Sequence, residues 1–159
     1  MLGLAGIGEE RLHLAWVSSA EAQRFAQITT QVTDSIKSQG RFDPGAFAME
    51  LEAAQMTFQD EMLRWMVGKE VKIVNDGDVY GRNWDVEKYE AILDSVLERE
   101  YNKNLIYLAI KDGFTSVRDI NKKIGLNLLL ISRLIADMEK TNKVQFTGME
   151  NKIPVFAAL

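Results

Sequence analysis

The stretch from Leu105 to Leu159 constrains the fold more than any other, because its elements come in an order that few architectures use. A helical pattern runs from Leu105 to Asp112 and gives way at "GFTSV" to a short extended piece. Val117–Ile124 predicts a second helix ending at Gly125, a residue suited to the left-handed conformation that closes helices. A third helix is predicted from Asn127 to about Thr141. Two β-type stretches, "KVQFTG" and "IPVFA", then flank "MENK". Helix, short strand, helix–turn–helix and β-hairpin together make a winged helix.

Winged helices usually read DNA through the third helix, so its outward face bears on function. Ile131, Ile135 and Met138 have the spacing of a buried stripe, joined by Leu126 and Val144. That assignment turns Leu128, Leu129, Leu130, Arg133 and Leu134 outward. Base edges and phosphates call for hydrogen-bonding side chains, which leucine lacks. Leaving a large apolar side chain in water costs roughly 1.5–3 kcal/mol relative to burying it, so such a cluster marks a protein contact. Protein docking is therefore the first expectation, and packing against the chain's own N-terminal helices is the structural alternative. DNA binding comes second, with Arg133, Lys143 and Lys152 as phosphate contacts.

Upstream, "RLHLAWVSSAEAQRFA" predicts one strand followed by one helix. Leu12, Leu14 and Trp16 alternate with His13, Ala15 and Val17, a period of two. Ser18 and Glu21 form a capping box, and Phe25, Ile28, Val32 and Ile36 then share a helical face up to Gly40. Asp43 and Pro44 open the next helix, whose stripe of Phe47, Leu51, Ala54, Phe58 and Met62 is expected to end at Gly68. The β-branched Val71, Ile73 and Val74, followed by the turn-forming Asn75–Asp78 and "VYG", predict a short hairpin or an ordered connector. A helical pattern resumes at Asp85, and a separate one begins at Leu105. The expected fold class is mostly α (α+β): a partial strand–helix unit and long helices followed by a C-terminal winged helix. The expected division is a strand–helix remnant of an α/β domain at 1–40, a helical connector at 41–100 and the winged helix at 101–159.

Composition narrows the chemistry. The 159 residues include no cysteine and one histidine, His13. Disulfides, thiolate zinc, iron–sulfur ligation by this chain and paired-histidine metal sites are excluded. A Ser-His-Asp relay would depend on His13, and no nucleophile-elbow sequence accompanies it. No catalytic, cofactor-binding or metal-binding residue is therefore assigned, and the chain is not expected to be an enzyme by itself. "DGDVYGRNWDVE", Asp76 to Glu87, approaches a calcium loop but places Tyr80 and Asn83 where a ligand and an apolar anchor belong. No apolar run reaches the ~20 residues of a membrane span, and no signal peptide opens the chain, so a cytoplasmic location is expected. Charge is uneven: residues 1–100 carry 10 basic and 18 acidic side chains, residues 101–159 carry 9 and 5. The C-terminal part thus has mild positive charge, which permits contact with nucleic acid without demanding it.

"GIGEERLHLAWVSSAEAQRFAQITTQVTDSIKSQG" resembles the C-terminal end of the delta (iron–sulfur) subunit family of methyl-viologen-reducing hydrogenase. The resemblance is carried by Glu10-Arg11-Leu12, by "WVSSAE" and by Phe25-Ala26, and continues through "LRWMVGKE", "DVYG" and the terminal winged helix. Members of that family link hydrogenases or other dehydrogenases to heterodisulfide-reductase-type flavoprotein complexes. Their cluster-binding cysteines lie upstream of the matching stretch, and none can be assigned to a residue here. The resemblance implies a non-catalytic, partner-docking subunit, or C-terminal portion, of a multi-subunit electron-transfer oxidoreductase. Iron–sulfur clusters and flavin would then sit on partner subunits. Leu12, Leu14 and Trp16 would complete a partner's sheet, and Leu128, Leu129, Leu130, Arg133 and Leu134 would dock on a partner protein. A winged-helix transcriptional regulator is the alternative.

Overall fold

The computed structural model describes residues 1–82 and 84–159; Asn83, one of the two misplaced positions of the calcium-loop pattern, lies outside the described residues. The chain is mostly helical, with a small antiparallel two-stranded sheet at its C-terminal end. It divides into two compact units, Met1–Leu51 and Glu52–Leu159.

The first unit opens on a helical turn in which Ala5 is buried. A 3-10 turn follows at Glu9–Arg11, and α1 spans Ala22–Ser38. The expected strand between them is not formed. Residues 12–18 belong to no helix or strand, and among the described residues no segment pairs with them. Alternation can set an inside and an outside only where a neighbouring strand or layer covers one side, and here both sides of the segment face solvent. The capping box is half realised. The Ser18 amide donates to Glu21 Oε2 at 2.8 Å, but the Ser18 hydroxyl accepts from Ala20 instead of from the helix. No residue of α1 is buried; Ile28 and Val32 are half-buried, while Phe25 and Ile36 are exposed. Gly40, in the left-handed region at φ 71°, turns the chain after the helix. Asp43 then accepts from the Gly45 amide at 3.0 Å, and Pro44 begins a 3-10 turn that runs into α2 (Ala48–Phe58).

The second unit corrects three boundaries. The helix expected to reach Gly68 breaks at Gln59–Asp60, because Asp60 accepts from the Leu63 amide at 3.0 Å and so caps a new helix, α3 (Glu61–Asp76). Gly68 lies inside α3. The first arm of the expected hairpin is helical, with Val71, Ile73 and Val74 in the last turns of α3, and the second arm, Val79–Gly81, is a turn and not a strand. The helix starting at Asp85 and the one starting at Leu105 are a single element, α4 (Val86–Lys111), so the division expected at 100/101 falls within a continuous helix.

Helices α3 and α4 run antiparallel, and the Tyr89 hydroxyl donates to the Met66 carbonyl at 2.7 Å. Asn104 of α4 donates to the buried Thr57 hydroxyl of α2 at 2.9 Å, and that hydroxyl donates to the Ala53 carbonyl at 2.7 Å. This pairs polar groups that would each be costly to bury alone.

The C-terminal half of α4 joins α5 (Val117–Ile124), α6 (Leu128–Lys140), β1 (Val144–Glu150) and β2 (Ile153–Ala158). Local signals fix each boundary. Ser116 caps α5 by accepting from the Asp119 amide, Gly125 closes it at φ 74°, and Asn127 caps α6 through the amides of Leu129 and Leu130. Asn151 and Lys152, both at positive φ, make the tight turn of the hairpin. A bulge between Phe146 and Gly148 shifts its register. Ser116 bridges to Val155, adding the short extended piece to the sheet edge. The core of this winged helix is Ile106, Ala109 and Ile110 of α4, Ile120 of α5, four residues of α6 and Val144.

Candidate functional site

The sequence singled out two surfaces, one in each unit. In the first unit Leu12, Leu14 and Trp16 are 72%, 85% and 83% exposed, more than most apolar side chains of the chain. The segment is held at both ends. The Arg11 guanidinium donates to the Gln39 carbonyl at 3.1 Å and the Gly40 carbonyl at 3.4 Å, and lies 5.3 Å from the centre of the Phe42 ring. A cation at the C-terminal end of α1 meets the negative end of the helix dipole as well as carbonyls left without helical donors. Gln39 returns the contact by donating to the Glu10 carbonyl at 2.9 Å. At the other end Glu21 accepts from Ser18 and from Arg24, and the Ser18 hydrogen bond is the larger cause holding its carboxyl below the usual range. Residues 12–17 are thus a largely apolar ribbon strung between two anchors, its backbone paired with no strand among the described residues.

In the second unit the outward face of α6 differs from the expectation. Leu134 is 2% exposed and belongs to the core with Ile131, Ile135 and Met138. Leu130 is half-buried and packs on the same core. Both are corrections: the buried stripe of α6 is wider than a three-residue repeat, since the helix meets α4, α5 and β1 together. Leu128 and Leu129 remain exposed, at 46% and 74%, on the first turn. Beside them Ser132 bonds back to the Leu128 carbonyl, and Arg133 is exposed with no ion pair among the described residues. The face is therefore mixed, with two leucines where four were expected.

The turn that resembles a calcium loop is organised by its own chain. Asp78 Oδ1 accepts from the amides of Tyr80 and Arg82, and Oδ2 accepts from the Arg82 side chain at 2.7 Å and from Trp84 Nε1 at 3.3 Å. The Arg82 side chain, first among these donors, holds the Asp78 carboxyl far below the usual range. Among the described residues no cluster of histidine, aspartate and glutamate has the geometry to hold a metal ion. None of the helices they form is long and apolar enough to cross a membrane.

Sequence reasoning missed one feature. Phe58, Leu63, Val67, Gly68, Leu93 and Leu97 line an apolar groove of about 510 Å³ between α3 and α4, with Arg64 and Asp94 also on its walls. Reading Val71–Val74 as a strand ended α3 early and hid the pairing that forms it. The helical spacing of Arg64, Val67, Gly68 and Val71 was the available signal. Comparison with protein-family models, with curated proteins and with solved structures finds no match to this chain.

Proposed function

We propose that this chain is a non-catalytic docking subunit, or the C-terminal portion of one, in a cytoplasmic multi-subunit electron-transfer oxidoreductase of the hydrogenase/heterodisulfide-reductase type. The observation that carries the reading is the anchored apolar ribbon Leu12–Leu14–Trp16, exposed at all three side chains and free to pair its backbone with a partner's sheet edge. The resemblance of Gly6–Gly40 to the hydrogenase delta-subunit family supplies the class of partner: flavoprotein and iron–sulfur subunits that carry the cofactors. The two leucines on the first turn of α6 offer a smaller second contact.

The test is affinity capture from the native cell with Trp16 replaced by a photo-crosslinking residue. A flavoprotein or iron–sulfur subunit is expected in the crosslinked band, and Leu12→Ser/Leu14→Ser should abolish it while leaving the circular dichroism unchanged. Recovery of the chain with no redox subunit attached would overturn the reading.

The winged helix supports a second reading, DNA binding, on one observation: Arg133 and Ser132 on α6 and the exposed Lys122, Lys123, Lys143 and Lys152 put donors at the surface. A salt-dependent gel shift weakened by Arg133→Ala would favour it, and no shift at low salt would remove it.

A further inference from the structure

The first unit holds a strap whose shape is fixed by its own length. One end is pinned beside the C-terminal end of α1. There Arg11 donates to the Gln39 and Gly40 carbonyls, Gln39 Nε2 donates to the Glu10 carbonyl at 2.9 Å, and the ring beneath the guanidinium, Phe42, stacks on Phe47 at 5.6 Å. The other end is pinned at the opposite end of the same helix, where the Ser18 amide donates to Glu21. The 17 residues of α1 rise ~25 Å at ~1.5 Å each. Residues 12–18 cover that distance in reverse, and at ~3.3–3.6 Å per residue they reach at most ~25 Å. The segment therefore has almost no slack and runs extended beside the helix, as Leu12 begins it with φ −122° and ψ 121°. An extended chain puts Leu12, Leu14 and Trp16 on one side; a slack one would present no side at all.

We infer that Arg11 is the positioning residue of the docking segment: with Gln39 it clasps the chain, so that residues 12–18 stand as a strand before any partner arrives. The inference rests on the docking reading above and adds to it the source of the affinity. Strand addition to a partner's sheet demands an ordered backbone, and a segment ordered only on contact loses binding free energy for every residue fixed. With the clasp in place that ordering occurs during folding instead. Arginine suits the task, since one planar guanidinium serves two successive carbonyls and lies on an aromatic ring at once, which a lysine ammonium does not match. No strand among the described residues pairs with the segment, so these side chains, and no sheet, hold its shape.

Two measurements on the full chain test it, one of them without any partner. In backbone amide relaxation of the free protein, residues 12–17 are expected to have order parameters of about 0.8, falling below about 0.6 in Arg11→Gln while α1 and the second unit stay ordered. A wild-type segment already below that value would overturn the inference. With the photo-crosslinker at the Trp16 position, Arg11→Gln should lower capture of the flavoprotein or iron–sulfur subunit about tenfold or more at limiting concentration. The chain has no cysteine, so Arg11→Cys/Gln39→Cys supplies the only thiols, and closing them with a short bismaleimide should restore both order and capture. Loss of order with undiminished capture would overturn the inference and leave the docking reading standing. So would order restored by the bismaleimide without recovery of capture. No capture by the wild type would remove the docking reading itself, and the inference with it, even with the segment ordered.

Discussion

Truncating Leu134 to alanine removes three carbon atoms from a side chain that is 2% exposed and packed among Ile131, Ile135 and Met138. At about 0.8 kcal/mol per buried methylene, lost transfer alone comes to roughly 2.4 kcal/mol. The cavity left in a core that relaxes only in part adds to this, and the measured range for such truncations is about 2–5 kcal/mol. A loss of about 3 kcal/mol is therefore expected for Leu134→Ala. Leu129, five residues away and 74% exposed, should lose no more than about 0.5 kcal/mol on the same change. Urea unfolding followed by far-ultraviolet circular dichroism separates the two. With a slope of ~1–3 kcal/mol per molar, Leu134→Ala should lower the midpoint by about 1–3 M and leave the slope unchanged. Equal losses for the two variants, or a loss under about 1 kcal/mol for Leu134→Ala, would refute the placement of Leu134 in the core. Its role would then revert to the outward contact that its sequence neighbours suggest.

Tyr89→Phe removes the hydrogen bond to the Met66 carbonyl and should cost about 0.5–1.5 kcal/mol in the same assay. Burial, aided by the charge of Glu70, pushes the Tyr89 phenol up, so its neutral form is favoured in the fold. Its contribution is therefore complete below the unfolded value of about 10 and is lost as pH rises through the folded one; the stability gap between wild type and Tyr89→Phe should close in alkali. Asn104→Ala takes away the donor to the Thr57 hydroxyl and should cost about 1–3 kcal/mol, with faster hydrogen exchange in the second half of α2. Glu21 is held below the ordinary carboxylate range, so its grip on the Ser18 amide should persist above that range and be lost as pH falls through the folded value. The Ser18 amide resonance, followed by acid titration, should move with a midpoint below that of an unperturbed glutamate.

The winged helix was legible because its boundaries are set by neighbours in sequence. Ser116, Gly125 and Asn127 each determine a helix end through a side chain or a φ angle that does not depend on distant packing. Elements that depend on distant partners were harder to read. Val71, Ile73 and Val74 favour strands when considered alone, yet they extend a helix whose inner face, Leu63 and Met66, is fixed by α4. The strand expected at Leu12–Trp16 failed for the opposite reason, since alternation needs a neighbouring strand and, among the described residues, β1 and β2 pair only with each other and with Ser116. On α6 the error was one of width. Leu134 lies only about 60° around the helix from Ile131, inside the broad stripe of a helix packed on several neighbours. The charged walls of the α3–α4 groove could be seen only after the helix pairing was known.

The length of α4 has a mechanical side. Its 26 residues span ~39 Å, with one half pairing with α3 and the other threading the winged-helix core. Ile106, Ala109 and Ile110 fasten it beneath α6, and Tyr89 fastens it to α3. Held firmly in the core at one end, the helix would act as a lever at the other. Tilting its outer ~20 Å by about 10° would carry the tip ~3.5 Å, and the opposing strain would fall where α4 packs beneath α6. A shift of α3 would therefore reach α6 through α4 itself, the helix that packs against both.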